Sequence, residues 1–548
     1  MAKTSTMLTV AGIAVGGLVA YAVYFDYRRR TDANFRKHLR KDKKRVAKSQ
    51  TSSETSVNSG GVEESDLKSA LEQVRKEEVP ASAEEKERYF MSQVAMGEQL
   101  CARGPSFNLN AAMCFYRALR VYPSPVELIV IYEKTVPAPV FQLVMQLTNM
   151  DVKERVEGYY DCFPAKAMNV AVKTVDVPVN DKPGAFTRKK VLVCTKDFEL
   201  GDLIYKEDAI VTALDMDLQG KGTHCSHCLR IIDTSSAVRP EIDWLHSVYC
   251  SQDCHNKAET YSQRLLFSLG SPIPEQIAVP LPASTTDERK KVQDAFTEYL
   301  EKRGKAAPQL VARFIARQVS AETAKMLATG LGTAGPADLG LTDGGDYTLY
   351  DHLERLRYLE MTPPEEETKL LKGVLQSALP GLEQFVTEER HATYLGGMSY
   401  NAFGVYFGEG REDKPEPTER PEDVEKTRTP IGTQKQVGAG FYAVSSYLNH
   451  SCTPSARPSF DNGTAELHVI ASRALKCGDE LTIAYVDVSQ KEGESVVDAR
   501  RRRRIELARG WRFACTCERC AKEADGMDED PARDESKVSD AVNRVEGV

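Results

Sequence analysis

Asn449-His450-Ser451-Cys452, taken with Cys515-x-Cys517-x2-Cys520 further along, is the reading that decides the fold of the larger part of this chain. The first stretch supplies a polar Asn-His pair and one thiol. The second supplies three. A structural zinc ion takes four ligands at the corners of a tetrahedron, most often thiolates or imidazoles. Three closely spaced cysteines therefore need a fourth donor from elsewhere, and Cys452 is the natural one. That closure would pin the end of the chain over the Asn-His pair and build a pocket there.

Other segments extend the pattern. Tyr400-Asn401-Ala402-Phe403-Gly404-Val405 comes first, and Gly438-Ala439-Gly440-Phe441-Tyr442 leads into Ser446-Tyr447-Leu448-Asn449-His450. Gly478-Asp479-Glu480-Leu481-Thr482-Ile483-Ala484-Tyr485 follows, and Trp511-Arg512-Phe513-Ala514-Cys515 enters the cysteine cluster. Together these resemble the SET-domain protein lysine methyltransferases of the MYND-SET (SMYD-like) branch, and the resemblance makes the first of them the family's Asn-x-Phe strand and the third its final strand. The resemblance implies methyl transfer from S-adenosylmethionine to a protein lysine. It assigns Asn401, Ser446, Asn449, His450 and Phe513 to the cofactor, Tyr485 to catalysis beside the transferring methyl, and Trp511 to the lysine channel. It implies a zinc knuckle on Cys452, Cys515, Cys517 and Cys520.

Two departures bear on activity. The family holds the cofactor's methionine end on a Gly-x-Gly turn before the first strand, where glycine lets backbone amides come close. This chain reads Arg188-Lys189-Lys190-Val191-Leu192 there. Trp511 also stands where relatives carry a tyrosine, and Ser455 replaces the common Asn of the motif. The enzyme and a catalytically inactive SET scaffold are therefore both open.

A second thiol set, Cys225-x2-Cys228 with Cys250-x3-Cys254, has the spacing to close one more tetrahedral site with no open position for chemistry. By resemblance it is half of a MYND finger. Residues 256–395 read as mostly helical, and 409–436 as a polar, Pro-rich surface loop. The run Arg500–Arg504 reads as a solvated or salt-bridged helix face rather than a nucleic-acid contact.

The front of the chain differs in kind. Met7–Phe25 carries no charge, and nineteen helical residues would span about 28 Å, close to a hydrocarbon core. Arg28, Arg29 and Arg30 follow, which predicts a cytosolic bulk. Residues 49–65 are a polar linker. Helical stripes then appear: Phe90, Met91, Val94 and Ala95; Ala111, Phe115, Ala118, Leu119 and Tyr122; Leu128, Ile129, Ile131 and Tyr132; and a last short helix from Pro137 through Leu147. So small a helical module buries little and is expected to leave an apolar groove exposed.

The runs Tyr89-Phe90-Met91, Met96-Gly97-Glu98-Gln99-Leu100, Val121-Tyr122-Pro123 and Thr135-Val136-Pro137-Ala138-Pro139 resemble the 20-kDa receptor of the mitochondrial outer-membrane translocase over about residues 5–150. That resemblance implies a single-pass outer-membrane protein. It implies a tetratricopeptide-like domain that binds presequences through Phe90, Met91, Val94, Leu128, Ile131 and Tyr132, with other translocase subunits as partners.

Composition agrees with a large, several-domain chain. There are 548 residues, 41% hydrophobic and 28% charged, with a formal net charge of -8 that argues against a general nucleic-acid binder. The charge is uneven: residues 28–48 hold eleven Lys/Arg, and 523–548 nine acidic residues. Thirteen cysteines in clusters point to metal rather than disulfides.

The fold class expected is a multidomain α+β chain. A transmembrane helix and a small all-α tetratricopeptide-like domain precede a mainly β SET domain with a zinc-finger insert, a helical insert and a post-SET zinc knuckle. Expected boundaries are an anchor at 1–27, a basic segment and linker at 28–65, the import-receptor domain at 66–150 and a connector at 151–182. The SET part then begins at 183–214, followed by the finger at 215–260, the helical insert at 261–395, the SET core at 396–490, the post-SET helix and knuckle at 491–522, and an acidic tail at 523–548. Three readings stand: a presequence receptor joined to a SET domain, primarily a membrane-tethered lysine methyltransferase, or a receptor carrying an inactive SET scaffold.

Overall fold

The computed structural model describes residues 64–524, apart from short stretches at 78–79, 81–82, 123–124, 179–185, 234, 271–282, 332–339, 346, 381, 418 and 422, together with Val538, Ser539 and Val542. The candidate anchor Met7–Phe25 lies outside them. No helix among the described residues is long and apolar enough to cross a membrane. The chain forms two compact units, Met1–Tyr159 with Ala324–Pro336, and Tyr160–Thr323 with Ala337–Val548.

In the first unit five helices follow one another: α1 (Glu64–Lys76), α2 (Ala83–Ala102), α3 (Asn108–Val121), α4 (Pro125–Thr135) and α5 (Ala138–Glu157). Helix α3 is the hub on which the other four pack. Its Ala111, Phe115 and Leu119 meet Leu67, Leu71 and Val74 of α1, Leu128 and Tyr132 of α4, and Val140, Val144 and Leu147 of α5. The α1 residues fall at i, i+4 and i+7, the spacing of one helix face. Helix α3 ends where Tyr122 turns extended (ψ 132°), as the residue before a proline must. Gly97 lets α2 close on α3, because a Cβ there would lie 2.9 Å from the Phe115 ring. Helix α5 runs ten residues past Leu147 to Glu157. No Gly or Pro interrupts it before Gly158, and Arg75 of α1 holds Asp151 at 2.8 Å and Glu154 at 2.5 Å on the extension.

The second unit is built from small sheets. Strands β1 (Val170–Pro178) and β2 (Phe186–Cys194) form an antiparallel hairpin registered Val170↔Cys194 to Pro178↔Phe186. Strand β1 arises in the stretch 151–182 expected as a connector. β3 (Leu203–Glu207), β4 (Val211–Leu214), β5 (Phe403–Val405), β6 (Gly438–Phe441), β7 (Asn449–His450), β8 (Ala456–Ser459), β9 (Leu467–Ala471) and β10 (Thr482–Ile483) give the orders β3-β9-β8, β4-β6-β5 and a parallel β7–β10 pair. Between β4 and β5 come the cysteine finger and helices α6 (Gln252–Ala258), α7 (Ala283–Arg303), α8 (Ala306–Leu331), α9 (Glu365–Ala378) and α10 (Glu388–Asn401). Helices α11 (Val496–Trp511) and α12 (Glu518–Lys522) follow β10. Thr387 and Ser495 cap α10 and α11, each accepting from the backbone N–H three residues on.

The segment 409–436 is not only a surface loop. Arg411 bonds Asp217 at 3.1 Å, and Lys414 pairs with Asp215 at 2.6 Å. Glu425 accepts from the Ala306 and Ala307 amides at 2.7 and 2.8 Å, capping α8. Thr427, Arg428 and Thr429 are buried, with Arg428 bridged in parallel to Phe403. Residues 412–421 are mostly exposed, as a surface loop would be, while Glu425, Thr427 and Arg428 are spent on partners inside the unit.

Candidate functional site

The parallel pairing Thr482↔Asn449 and Ile483↔His450 lays the Asn-His segment beside the last strand. The Tyr485 amide donates to Nδ1 of His450 at 3.1 Å. That fixes the tautomer, with the proton on Nε2, which lies 3.3 Å from the Cys452 sulfur. Burial pushes the His450 imidazole down to about 4, so it is neutral at physiological pH. The rings of Tyr485, Trp511, Phe513 and His450 gather here. Tyr485 lies 5.2 Å from Trp511, 5.5 Å from His450 and 6.4 Å from Phe513. Phe513 lies 6.2 Å from His450. The Tyr485 hydroxyl donates to the Leu448 carbonyl at 2.6 Å, and the Trp511 indole donates to the Tyr400 carbonyl at 3.0 Å.

Asn449 gives its amide N–H groups to the Lys190 carbonyl (3.2 Å) and the Glu480 carboxylate (3.1 Å). Its Oδ1 has no bond among the described residues. Ser446 donates to the Tyr442 carbonyl one turn back. Asn401 is fully buried and donates to the carbonyls of Arg357 (2.7 Å) and Gly397 (2.9 Å). The residues picked from sequence are therefore brought together. Asn401 and Ser446 stand in a supporting layer with their polar atoms already used.

Three residues of that layer had no signal in the sequence. Arg428, buried to 1% exposure, donates to the Tyr400 carbonyl (3.1 Å), the Ser446 carbonyl (3.0 Å) and Oδ1 of Asn401 (2.8 Å). Its guanidinium lies 4.4 Å from the Tyr485 ring centre, and no carboxylate pairs with it among the described residues. Glu207, also buried, accepts from the Val444 and Ser445 amides (2.7 and 2.8 Å) and the Ser445 hydroxyl. Burial raises this carboxyl to about 7 against those bonds. Arg357 donates from its guanidinium to the Tyr400 hydroxyl at 3.3 Å. Where a Gly-x-Gly turn is absent, Lys190 places its ammonium 3.4 Å from the Tyr160 ring centre. Lys189 is half-buried, and desolvation lowers its pKa against the opposing charge of Glu480.

The thiols close as the spacings predict. Cys225, Cys228, Cys250 and Cys254 form one group, and Cys452, Cys515, Cys517 and Cys520 another, each with all sulfurs within 4.8 Å. Zinc–sulfur bonds of about 2.3 Å give a tetrahedron edge of about 3.8 Å. The sulfur separations are 3.6 Å for Cys228–Cys250 and Cys250–Cys254, 3.8 Å for Cys452–Cys515 and 3.5 Å for Cys452–Cys520. Both donor sets fit zinc.

In the helical unit, Leu128 and Tyr132 belong to the core, and Phe90 and Val94 pack against it half-buried. Met91 is 63% exposed and Ile131 47% exposed, with Met96 and Val130 also open. Four of the six groove residues thus join the core or lean on it, and two stand in solvent.

Comparison with known proteins agrees with both halves. The MAS20 protein import receptor family matches residues 8–161, and the SET domain family matches residues 189–486. Mitochondrial import receptor subunit tom20 of Neurospora crassa is 37% identical over 159 residues, covering 29% of this chain and 86% of that protein. TOM20 of Saccharomyces cerevisiae is 33% identical over 133 residues, 24% of this chain and 72% of that protein. Human protein-lysine N-trimethyltransferase SMYD5 is 38% identical over 88 residues, 16% of this chain and 20% of that protein. The chain belongs to the MAS20 import-receptor family through its N-terminal part and to the SET domain family through residues 189–486. The match to SMYD5 spans only about a fifth of that relative's length.

Proposed function

We propose that this chain is an import receptor of the mitochondrial outer membrane, anchored once through Met7–Phe25, that captures amphipathic presequence helices and works beside other translocase subunits. The observation that carries this is the exposure of Met91 and Ile131 on helices of a unit whose family is that of import receptors. A ligand helix with apolar residues at i, i+3 and i+4 would cover them while Phe90, Val94, Leu128 and Tyr132 form the floor. The test is titration of the chain with an amphipathic presequence peptide and with a scrambled peptide of the same composition. Equal affinity for the two contradicts the reading.

A second activity is favoured by the aromatic gathering around Tyr485. S-adenosylmethionine, when bound, supplies a methyl activated by its sulfonium. Asn449, with its free Oδ1, His450 and Phe513 would hold it, with Asn401 and Ser446 bracing them from behind. Trp511 would wall the lysine channel. The Tyr485 hydroxyl spends its proton on Leu448, so its oxygen is left to accept from an incoming lysine amine. The apolar walls and the Arg428 charge disfavour an ammonium and favour the neutral nucleophile. Calorimetry with S-adenosylmethionine tests this. Binding lost in Asn449→Ala supports a working site, and no binding by the folded, zinc-loaded chain leaves the SET unit as a scaffold.

A further inference from the structure

The Arg500–Arg504 run is a salt-bridged face on one side only. Arg501 and Arg502 do turn outward, Arg501 to Asp498 at 3.2 Å and Arg502 to Glu494 at 2.8 Å. Arg500, Arg503 and Arg504 are buried. Period 3.6 sends positions 500, 503 and 504 to one side of α11, the side that carries the cysteine knuckle. There Arg500 donates to the Cys520 carbonyl at 2.9 Å. Arg519 of α12 donates to the Cys452 carbonyl at 3.1 Å and to Glu523 at 2.8 Å.

Arg503 is the unusual member. It is fully enclosed, and one of its terminal nitrogens reaches Glu523, which Arg519 shares. Two guanidinium groups thus divide one carboxylate. The Nε and Nη1 of Arg503 have no acceptor among the described residues. Cys452, Cys520 and Glu523 lie around Arg503. A buried cation with unspent donors is costly, unless something nearby carries negative charge that oxygen atoms do not supply.

The finger repeats the arrangement with different residues. Arg313 of α8 is buried, and no carboxylate lies within ion-pair distance among the described residues. It donates to the carbonyls of Thr212 (2.6 Å) and Ser226 (3.1 Å), and Ser226 follows the thiol Cys225. Its Nε has no acceptor among the described residues. Tyr249, Asp243 and Cys225 lie around it, and burial keeps the Tyr249 phenol neutral. Asp243 is already occupied by the Leu245 and Ser247 amides at 2.9 Å each.

Four thiolates on one zinc(II) ion leave a net charge of 2−. We propose that Arg503 and Arg313 are the outer-sphere charge partners of the two zinc–tetrathiolate centres, each a positioning residue whose spare N–H groups face thiolate sulfur rather than a carboxylate. This rests on the reading that both clusters hold zinc. It accounts for two buried, carboxylate-poor arginines, one beside each thiol cluster. It also gives the arginine run a role that its composition conceals.

The test uses the full chain purified with its zinc. Metal release to a chromophoric chelator is followed with time, and the phase that Cys517→Ser abolishes belongs to the knuckle. Outer-shell partners typically change metal affinity by about ten- to a hundred-fold. Arg503→Met is expected to speed the knuckle phase about ten-fold and leave the finger phase alone. Arg313→Met is expected to do the reverse, and the Lys variants to restore part of each effect. Arg501→Met, on the outward face, is the control with no change. Cobalt(II) substitution gives a readout independent of stability, since a lost cation beside the thiolates shifts the sulfur-to-cobalt band to lower energy in the Met variants. Folded Met variants with wild-type release rates and an unshifted band overturn this inference alone. A wild-type chain that carries no zinc overturns the zinc reading and this inference together.

Discussion

The helical unit leaves two of its six candidate binding residues in solvent, whereas the SET unit encloses its own. Met91 and Ile131 are mostly or half open, while Tyr485, Trp511 and Asn401 are 3%, 2% and 0% exposed. The difference reflects what each surface has to do. A receptor for apolar helix faces needs apolar side chains waiting at the surface. A transfer site needs groups held by a packed surround, with water kept out. Binding and stability are therefore separable in the first unit and entangled in the second. Substitutions can break or sharpen that contrast.

The largest effect falls on zinc. Structural zinc sites carry apparent binding free energies of about 10–16 kcal/mol that act as folding free energy. Chelation is expected to unfold the SET unit and leave the helical unit intact. Hydrogen exchange resolved by segment checks this, with protection lost across 438–520 and retained in α3 and α5. Next is Trp511→Ala, which empties a buried site and removes one of the two donors on the Tyr400 carbonyl. A loss of about 3–5 kcal/mol is expected from such a truncation, read from the urea midpoint of the SET unit.

Arg428→Met comes third. It leaves Oδ1 of Asn401 and the Ser446 carbonyl without their donor, and the Tyr400 carbonyl with Trp511 alone, at about 1–3 kcal/mol per orphaned buried group less what relaxation recovers. A net loss of about 3 kcal/mol is expected, and any S-adenosylmethionine binding should fall with it. A variant as stable as the wild type would show that the 409–436 segment is passive.

The smallest effect is on pH. Folded Glu207 titrates at about 7, raised from its ordinary 4.5. Between those values the native state keeps a proton that the unfolded chain has released. The contribution of this group is thus greatest below about pH 4.5 and declines as pH rises to about 7. Glu207→Gln should flatten that part of the stability profile, as measured by denaturant midpoints across the range.

The sequence made some of this legible and not the rest, for physical reasons. Helix faces repeat every 3.6 residues, so the Ala111–Leu119 stripe and the Leu128–Tyr132 stripe stood out; the first is buried, while the second buries Leu128 and Tyr132 and leaves Ile131 open. Thiol spacing constrains zinc geometry so tightly that both cysteine sets were readable, and each closes. The end of α5 was not readable, because its last turns are held by Arg75 from another helix rather than by an apolar stripe. Strand β1 was missed because Lys173, Thr174 and Asp176 break the alternation, and its pairing with β2 carries it instead. Arg428 and the inward half of Arg500–Arg504 were hidden for a different reason. A charged residue enters a core only when specific partners wait there, and partners distant in sequence leave no local signal.

The central claim is that the exposed apolar residues of the helical unit are a presequence site. The most direct measurement is fluorescence anisotropy of a labelled amphipathic presequence peptide against the wild-type chain and Ile131→Asp, with thermal melting in parallel. Ile131 is at the surface, so the melting transition should stay within about 0.5 kcal/mol of the wild type. Affinity should fall about ten-fold, since a charge placed under an apolar ligand face costs more than the lost contact alone. Unchanged affinity in a folded variant would contradict the claim and move the receptor site elsewhere.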